Sequence, residues 1–141
     1  MKLDPDERLS DMAMVAERLR EVIEMASGKV PVNVSLSCCF GCPMEGEVPA
    51  DEVLRWAGRF AELGVRGLTI CDTTGMAHPA QVTRLTRALQ QRFGSLQLTL
   101  HFHNTRGMGL ANVLAGIGRG QLRLEGRCSR GRGGAAQFGA G

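Results

Sequence analysis

Two imidazoles stand two residues apart at His101 and His103, in a run where Leu96, Leu98, Leu100 and Phe102 alternate with Gln97, Thr99, His101 and His103. Residues i and i+2 of a strand project to the same side, so the pair brings two nitrogen ligands within reach of one metal ion. The plainer use is a partly exposed pair satisfied by hydrogen bonds. Asp72 ends a second short apolar run, in Cys71-Asp72-Thr73-Thr74-Gly75. Its carboxylate suits acid/base work, and equally a helix or turn cap built on Asp72 or Thr73. Cys38-Cys39-Phe40-Gly41-Cys42 contains the Cys-x-x-Cys spacing of zinc and redox sites. No second cysteine pair lies in the body of the chain, and Gly41 and Pro43 mark a loop rather than a helix start, so loop or buried thiols are the preferred reading. His78, before Pro79, reads as a capping or surface residue, and Met12, Met14 and Trp56 read as packing.

Three β/α units must position these residues. Leu9, Met12, Ala16, Leu19, Ile23 and Ala26 recur at spacings of three and four, which predicts a helix over 4–27 with Asp4 as cap and Gly28 as stop. A β-branched run follows at 30–37, then loop chemistry over 40–49. The order repeats: a helix over 49–63 with Val53, Ala57 and Phe60 inward, a strand over 67–72, a helix over 79–93 with Val82, Leu85 and Leu89 inward, and a strand over 96–103. A last helix begins near Met108 and loses its pattern after Ile117. Strand starts about 30 residues apart fit right-handed crossovers and a parallel sheet, hence an α/β class. An apolar row opposite a Thr-His-His row suits a barrel wall, with Asp72 and both histidines at strand carboxyl ends, where barrel enzymes build their sites. Eight such units take about 250 residues, so three strands do not close a barrel alone.

The chain has 141 residues, 43% of them hydrophobic and 22% charged, a globular balance. No apolar run is long enough to span a membrane, and the start lacks the basic-then-apolar layout of a secretory signal, which sets the expectation of a cytoplasmic protein without membrane partners. Five cysteines without a secretory context are expected as thiols. The net charge of +3 sits at the end: residues 118–141 hold five arginines against Glu125, and residues 1–117 hold 12 basic against 13 acidic groups. That segment also holds 8 of the 19 glycines, and little apolar surface to offset chain entropy, so it is expected to be a disordered Gly/Arg-rich tail. Its bias toward Arg, Gly and Ala is also what a shifted reading of GC-rich codons gives. Division at 117/118 follows, with a barrel-like domain over 1–117. The single Ser-Arg-Gly-Arg-Gly-Gly at 129–134 resembles RNA-binding arginine-glycine segments, but without interleaved aromatics no nucleic-acid partner is expected.

Three segments together, SCCFGCPMEGEV, CDTTGMAHP and LHFHNTRGMGLANVL, resemble the 3-hydroxy-3-methylglutaryl-CoA lyases, within the metal-dependent barrel enzymes that include isopropylmalate and homocitrate synthases and the pyruvate carboxyltransferase domain. The resemblance spans about residues 4–117 and implies a partial (β/α)8 TIM barrel, its three parallel strands corresponding to strands five to seven. It implies that His101 and His103 are two ligands of Mg²⁺ or Mn²⁺, that Asp72 is the acid/base carboxylate, and that Thr69 and Thr73 contact substrate. The family cleaves 3-hydroxy-3-methylglutaryl-CoA to acetyl-CoA and acetoacetate by a retro-Claisen step. The alternatives are a Claisen-type acyltransferase or aldolase of the same superfamily, and a non-catalytic fragment whose tail binds RNA.

Strands one to four of the family barrel, with an arginine and a metal-binding aspartate, have no counterpart here. Asn33 and Ser35 stand where the lyases carry arginine and tyrosine. Cys128, between Arg127 and Ser129, lacks the Gly-Gly before and Pro after that mark the family's catalytic cysteine, and no such role passes to it. The expectations are weak or absent metal binding, little or no activity from the isolated chain, and either a complementing barrel half or self-association through exposed edges and helix faces.

Overall fold

The computed structural model describes residues 5–26, 29–117, 123–129 and 135–139. In chain order the elements are α1 (Pro5–Ala26), β1 (Asn33–Leu36), α2 (Ala50–Glu62), β2 (Gly67–Asp72), α3 (Pro79–Phe93), β3 (Gln97–His103), α4 (Gly109–Ile117), β4 (Arg123–Ser129) and β5 (Ala135–Gly139). The four helices and three strands read from periodicity lie where the sequence puts them. Asp4 and Gly28, the expected cap and stop of α1, fall outside the described residues. Asp51 and Glu52 in the first turn of α2 and Arg59 in its last complement the helix dipole. Pro79 occupies the first turn of α3, where a missing N–H costs nothing.

The first strand is shorter than the run at 30–37. Val30 N–H still donates to Ala26 O at the helix end, at 3.1 Å, and Pro31 has no N–H to give, so pairing with β2 starts at Asn33.

The sheet runs β1-β2-β3-β4-β5, with β1 to β4 parallel and β5 antiparallel to β4. Register sorts its side chains into two faces. Val34, Leu68 and Leu98 form one row and Leu36, Ile70 and Leu100 the next, all buried. Against them pack Val53, Ala57 and Phe60 of α2 and Val82, Leu85 and Leu89 of α3. A fully buried Leu or Ile contributes roughly 1.5–3 kcal/mol, so this layer holds the fold. The opposite face carries Ser35, Thr69 and Thr99 in one row and Cys71 beside His101 in the next. A sheet apolar on the helix side and polar on the other is one wall of a TIM barrel, and the chain is a partial one.

Within the segment expected to be a disordered tail, residues 123–129 and 135–139 form strands. Residues Thr99 to His103 of β3 pair with Arg123 to Arg127, and Glu125 to Ser129 pair with Ala135 to Gly139. Composition measures what side chains bury, whereas the free edge of β3 offers backbone N–H and C=O groups that any non-proline segment satisfies. Residues 118–122 and 130–134 lie outside the described residues. Among the described residues, no helix is long and apolar enough to cross a membrane.

Candidate functional site

The carboxyl ends of β2 and β3 meet the loop after β1 at one rim of the sheet. His101 and His103, on the polar face at the end of β3, turn toward each other. Their Nε2 atoms are 3.1 Å apart and their rings meet edge to face, with centroids 5.0 Å apart. Two ligands at right angles on an octahedral ion with bonds of about 2.1 Å are about 3.0 Å apart, so the pair has the bite of two cis ligands. The same spacing lets one neutral imidazole donate to the other. Among the described residues no group of three or more His, Cys, Asp or Glu converges as a full ligand set. The donor chemistry therefore fits two positions of a divalent-metal site and no more.

Asp72 ends β2 in register with Phe102, on the helix side of the sheet, and is 1% exposed. Oδ1 accepts from the backbone N–H groups of Met76, at 2.8 Å, and Ala77, at 3.2 Å. This is the turn cap that the residue type allowed. Oδ2 is buried and has no hydrogen-bond partner. Burial pushes the Asp72 carboxyl above its ordinary value, opposed by the amides of Met76 and Ala77 and by the charge of His103. One oxygen is fixed by the turn; the other is left for something else.

That turn needs Gly75. Its φ is +67°, and a Cβ there would lie 2.6 Å from Thr105 Oγ1 and 2.7 Å from Thr105 Cβ. The turn after β2 thus sits directly on the turn after β3, so the segments that follow Asp72 and His103 meet at the rim.

Thr69 and Thr73 are placed differently from each other. Thr69 lies on the polar face one row below Cys71, its hydroxyl donating to Asn33 Oδ1 at 3.1 Å. Thr73 stands at the rim, where its Oγ1 accepts from the backbone N–H of Cys38 at 2.9 Å. The structure therefore gathers Asp72, Thr73 and the histidine pair at the rim and sets Thr69 deeper in the wall. The loop is held further by Cys39 N–H to Cys71 O, at 3.0 Å, and by Gln81 Nε2 to Phe40 O, at 3.1 Å. Phe40 packs on Phe102 with ring centroids 5.8 Å apart. The cysteines at 38, 39, 42 and 71 are thiols. His78 occupies the N-cap position of α3 without a side-chain cap bond.

Two asparagines that support the rim were not singled out by sequence reasoning. Asn104 Oδ1 accepts from Gly109 N–H at 2.8 Å and so starts α4. Asn112, fully buried on α4, donates through Nδ2 to Ala77 O at 3.0 Å and ties that helix to the turn held by Asp72. The signal for the first is an Asn five residues before an apolar helix; the second shows only as a polar residue on an apolar face.

A family model described as HMGL-like matches residues 7–137. The chain is similar to the hydroxymethylglutaryl-CoA lyase YngG of Bacillus subtilis, with 43% identity over 91 residues, which is 64% of this chain and 30% of that protein. It is similar in structure to an HMG-CoA lyase from Acinetobacter baumannii solved with coenzyme A and 3-methylmalate, at a TM-score of 0.66 and 44% identity over 70% of this chain and 32% of that one. It is also similar to the HMG-CoA lyase of Brucella melitensis, at a TM-score of 0.77 and 25% identity, over 90% of this chain and 47% of that one. The chain spans about a third of the length of the curated relatives it matches.

Proposed function

The chain belongs to the HMGL-like family, and from that premise we propose that it is the segment of a carbon–carbon lyase that carries the histidine ligands and the acid/base carboxylate. The substrate is 3-hydroxy-3-methylglutaryl-CoA and the products are acetyl-CoA and acetoacetate. The observation that carries this reading is the 3.1 Å convergence of His101 and His103 Nε2 at the carboxyl end of a parallel strand, with a buried aspartate that has one unpartnered oxygen ending the neighbouring strand.

His101 and His103 would hold a divalent ion, Mg²⁺ or Mn²⁺, and that ion supplies Lewis acidity, lowering the pKa of the substrate's C3 hydroxyl. Asp72 takes the hydroxyl proton on Oδ2. Its Oδ1 is anchored by Met76 and Ala77, which fixes the direction in which Oδ2 points. Burial makes this carboxylate a stronger base than an ordinary aspartate, as proton abstraction from an alcohol requires. Thr73 at the rim and Thr69 in the wall orient the substrate through their hydroxyls. The thiols at Cys38, Cys39, Cys42 and Cys71 suit a reducing compartment, and we place the protein in the cytoplasm.

With two ligands in place, this segment holds the ion weakly and turns over substrate only when further strands complete the barrel. The test is acetoacetate release from the acyl-CoA with Mn²⁺, first for the chain alone and then with a separately expressed polypeptide supplying the missing strands. Little or no turnover alone, and turnover on complementation that His101→Ala abolishes, supports the reading. Activity of the chain alone near that of a full-length lyase, or complemented activity indifferent to His101→Ala, overturns it.

A further inference from the structure

Along α4 Asn112 is the only polar side chain, and it is fully buried. Its Nδ2 donates to Ala77 O at 3.0 Å; the partner is a carbonyl, so the amide faces it with nitrogen. Its Oδ1 is buried and has no partner among the described residues. A leucine has the same branched heavy-atom outline, favours a helix more and would leave no orphan oxygen on α4. Packing therefore does not account for the asparagine. What it adds is the bond to Ala77.

Ala77 is held from both sides. Its N–H donates to Asp72 Oδ1 at 3.2 Å, next to the Met76 N–H at 2.8 Å, while its carbonyl accepts from Asn112. The helix that brings Asn112 there is placed by the histidine strand. Asn104, directly after His103, accepts through Oδ1 from Gly109 N–H at 2.8 Å, and a Cβ on Gly109 would lie 3.0 Å from that oxygen, so α4 starts tight against the end of β3. The strand that carries the histidines and the turn that carries the aspartate's amides are thus joined by α4 as well as by the sheet.

We propose that Asn112 is a positioning residue for the lyase step: by holding the Ala77 carbonyl it fixes the turn amides that orient the Asp72 carboxylate. The inference rests on the reading of Asp72 as the acid/base group. Without the Asn112 donor the Ala77 carbonyl is buried and unpaired, and the turn is free to rotate toward another donor. Asp72 Oδ1 then loses a fixed amide, and Oδ2 loses its fixed direction. Misplacing a reacting group by about 1 Å costs up to about 10²-fold in rate.

The test is Asn112→Leu. In the full chain, amide hydrogen exchange followed by NMR should quicken about tenfold or more at Met76 and Ala77, with the amides of Leu68, Ile70 and Leu100 unchanged. The urea midpoint should change little, because one buried orphan oxygen is exchanged for another. In the complemented barrel kcat should fall about 10- to 10²-fold with KM for the acyl-CoA unchanged. Added to Asp72→Asn, the substitution should cost nothing further, since it acts through that carboxylate. Unchanged exchange at Met76 and Ala77, or a loss fully additive with that of Asp72→Asn, overturns the proposal. Turnover indifferent to Asp72→Asn overturns the acid/base reading instead, and the exchange rates still decide whether Asn112 holds the turn. Should Asn112→Leu fail to fold, Asn112→Ala, which also removes the donor, is read by the same exchange pattern and kinetics.

Discussion

Asp72 divides its work between two oxygens. Oδ1 holds the turn through Met76 and Ala77, and Oδ2 is buried without a partner. Asp72→Asn keeps an acceptor for the turn and removes the buried charge, so it separates the two jobs. In a complemented barrel it should cost about 10²- to 10⁴-fold in turnover, measured by acetoacetate release. Its effect on folding has the opposite sign. Because burial raises the carboxyl's pKa in the fold, the favourable contribution of wild-type Asp72 is fully present below its unfolded pKa and is lost as pH rises through the folded one. Urea unfolding at stepped pH should therefore show the Asn variant gaining on wild type as pH rises from about 4 toward 7. A gap that shrinks with rising pH would contradict this. The strand-end position of Asp72 is legible from Cys-Asp-Thr-Thr-Gly, because turn residues follow an apolar run at once. Which oxygen the turn uses is not, since that depends on two amides four and five residues on.

At the scale of elements, the two turns that form the rim touch through a missing side chain. Gly75→Ala combines a positive φ with a Cβ inside contact distance of Thr105, and neither can relax without moving a turn. The expected loss is about 1–3 kcal/mol of folding stability, read as a lower urea midpoint with an unchanged slope. A loss under a few tenths would mean that the turns move apart easily. Elements carried by periodicity were legible: the stripe of Val82, Leu85 and Leu89 gave α3, and the leucine alternation gave β3. β4 and β5 were not. Gly126, Arg127 and their neighbours have no pattern of their own, and they become strands through pairing with the exposed edge of β3. The histidine alternation likewise placed both rings on one face, but the rotamers that bring their nitrogens to 3.1 Å are decided by the rim around them.

At the scale of the molecule, an open wall leaves apolar surface that a closed barrel would cover. Leu110, Leu114 and Ile117 fall at i, i+4 and i+7 on α4 and are 70%, 64% and 52% exposed. Val22 and Met25 of α1 are also more than half exposed, and among the described residues β1 is paired on one side only. Contiguous apolar faces and unpaired strand edges both drive association. Sedimentation velocity of the isolated chain should show a weight-average mass that grows with concentration, and Leu110→Lys with Leu114→Lys should lower it. A monomer across the micromolar range for the unaltered chain would remove this expectation.

The reversed direction of β5 bears on how such a wall could ever shut. A TIM barrel closes by laying its last strand parallel to its first, and that seam would lie on the outer edge of β4. Here β5 already occupies it, running the wrong way, in register from Glu125↔Gly139 to Ser129↔Ala135. A cylinder closed on that edge would require β5 to leave it, whereas pairing on β1 would not. Removal of residues 130–141 should accordingly speed recovery of activity when the missing strands are added, without changing the affinity of the first docking step. Equal recovery rates with and without the segment would show that the seam is open already.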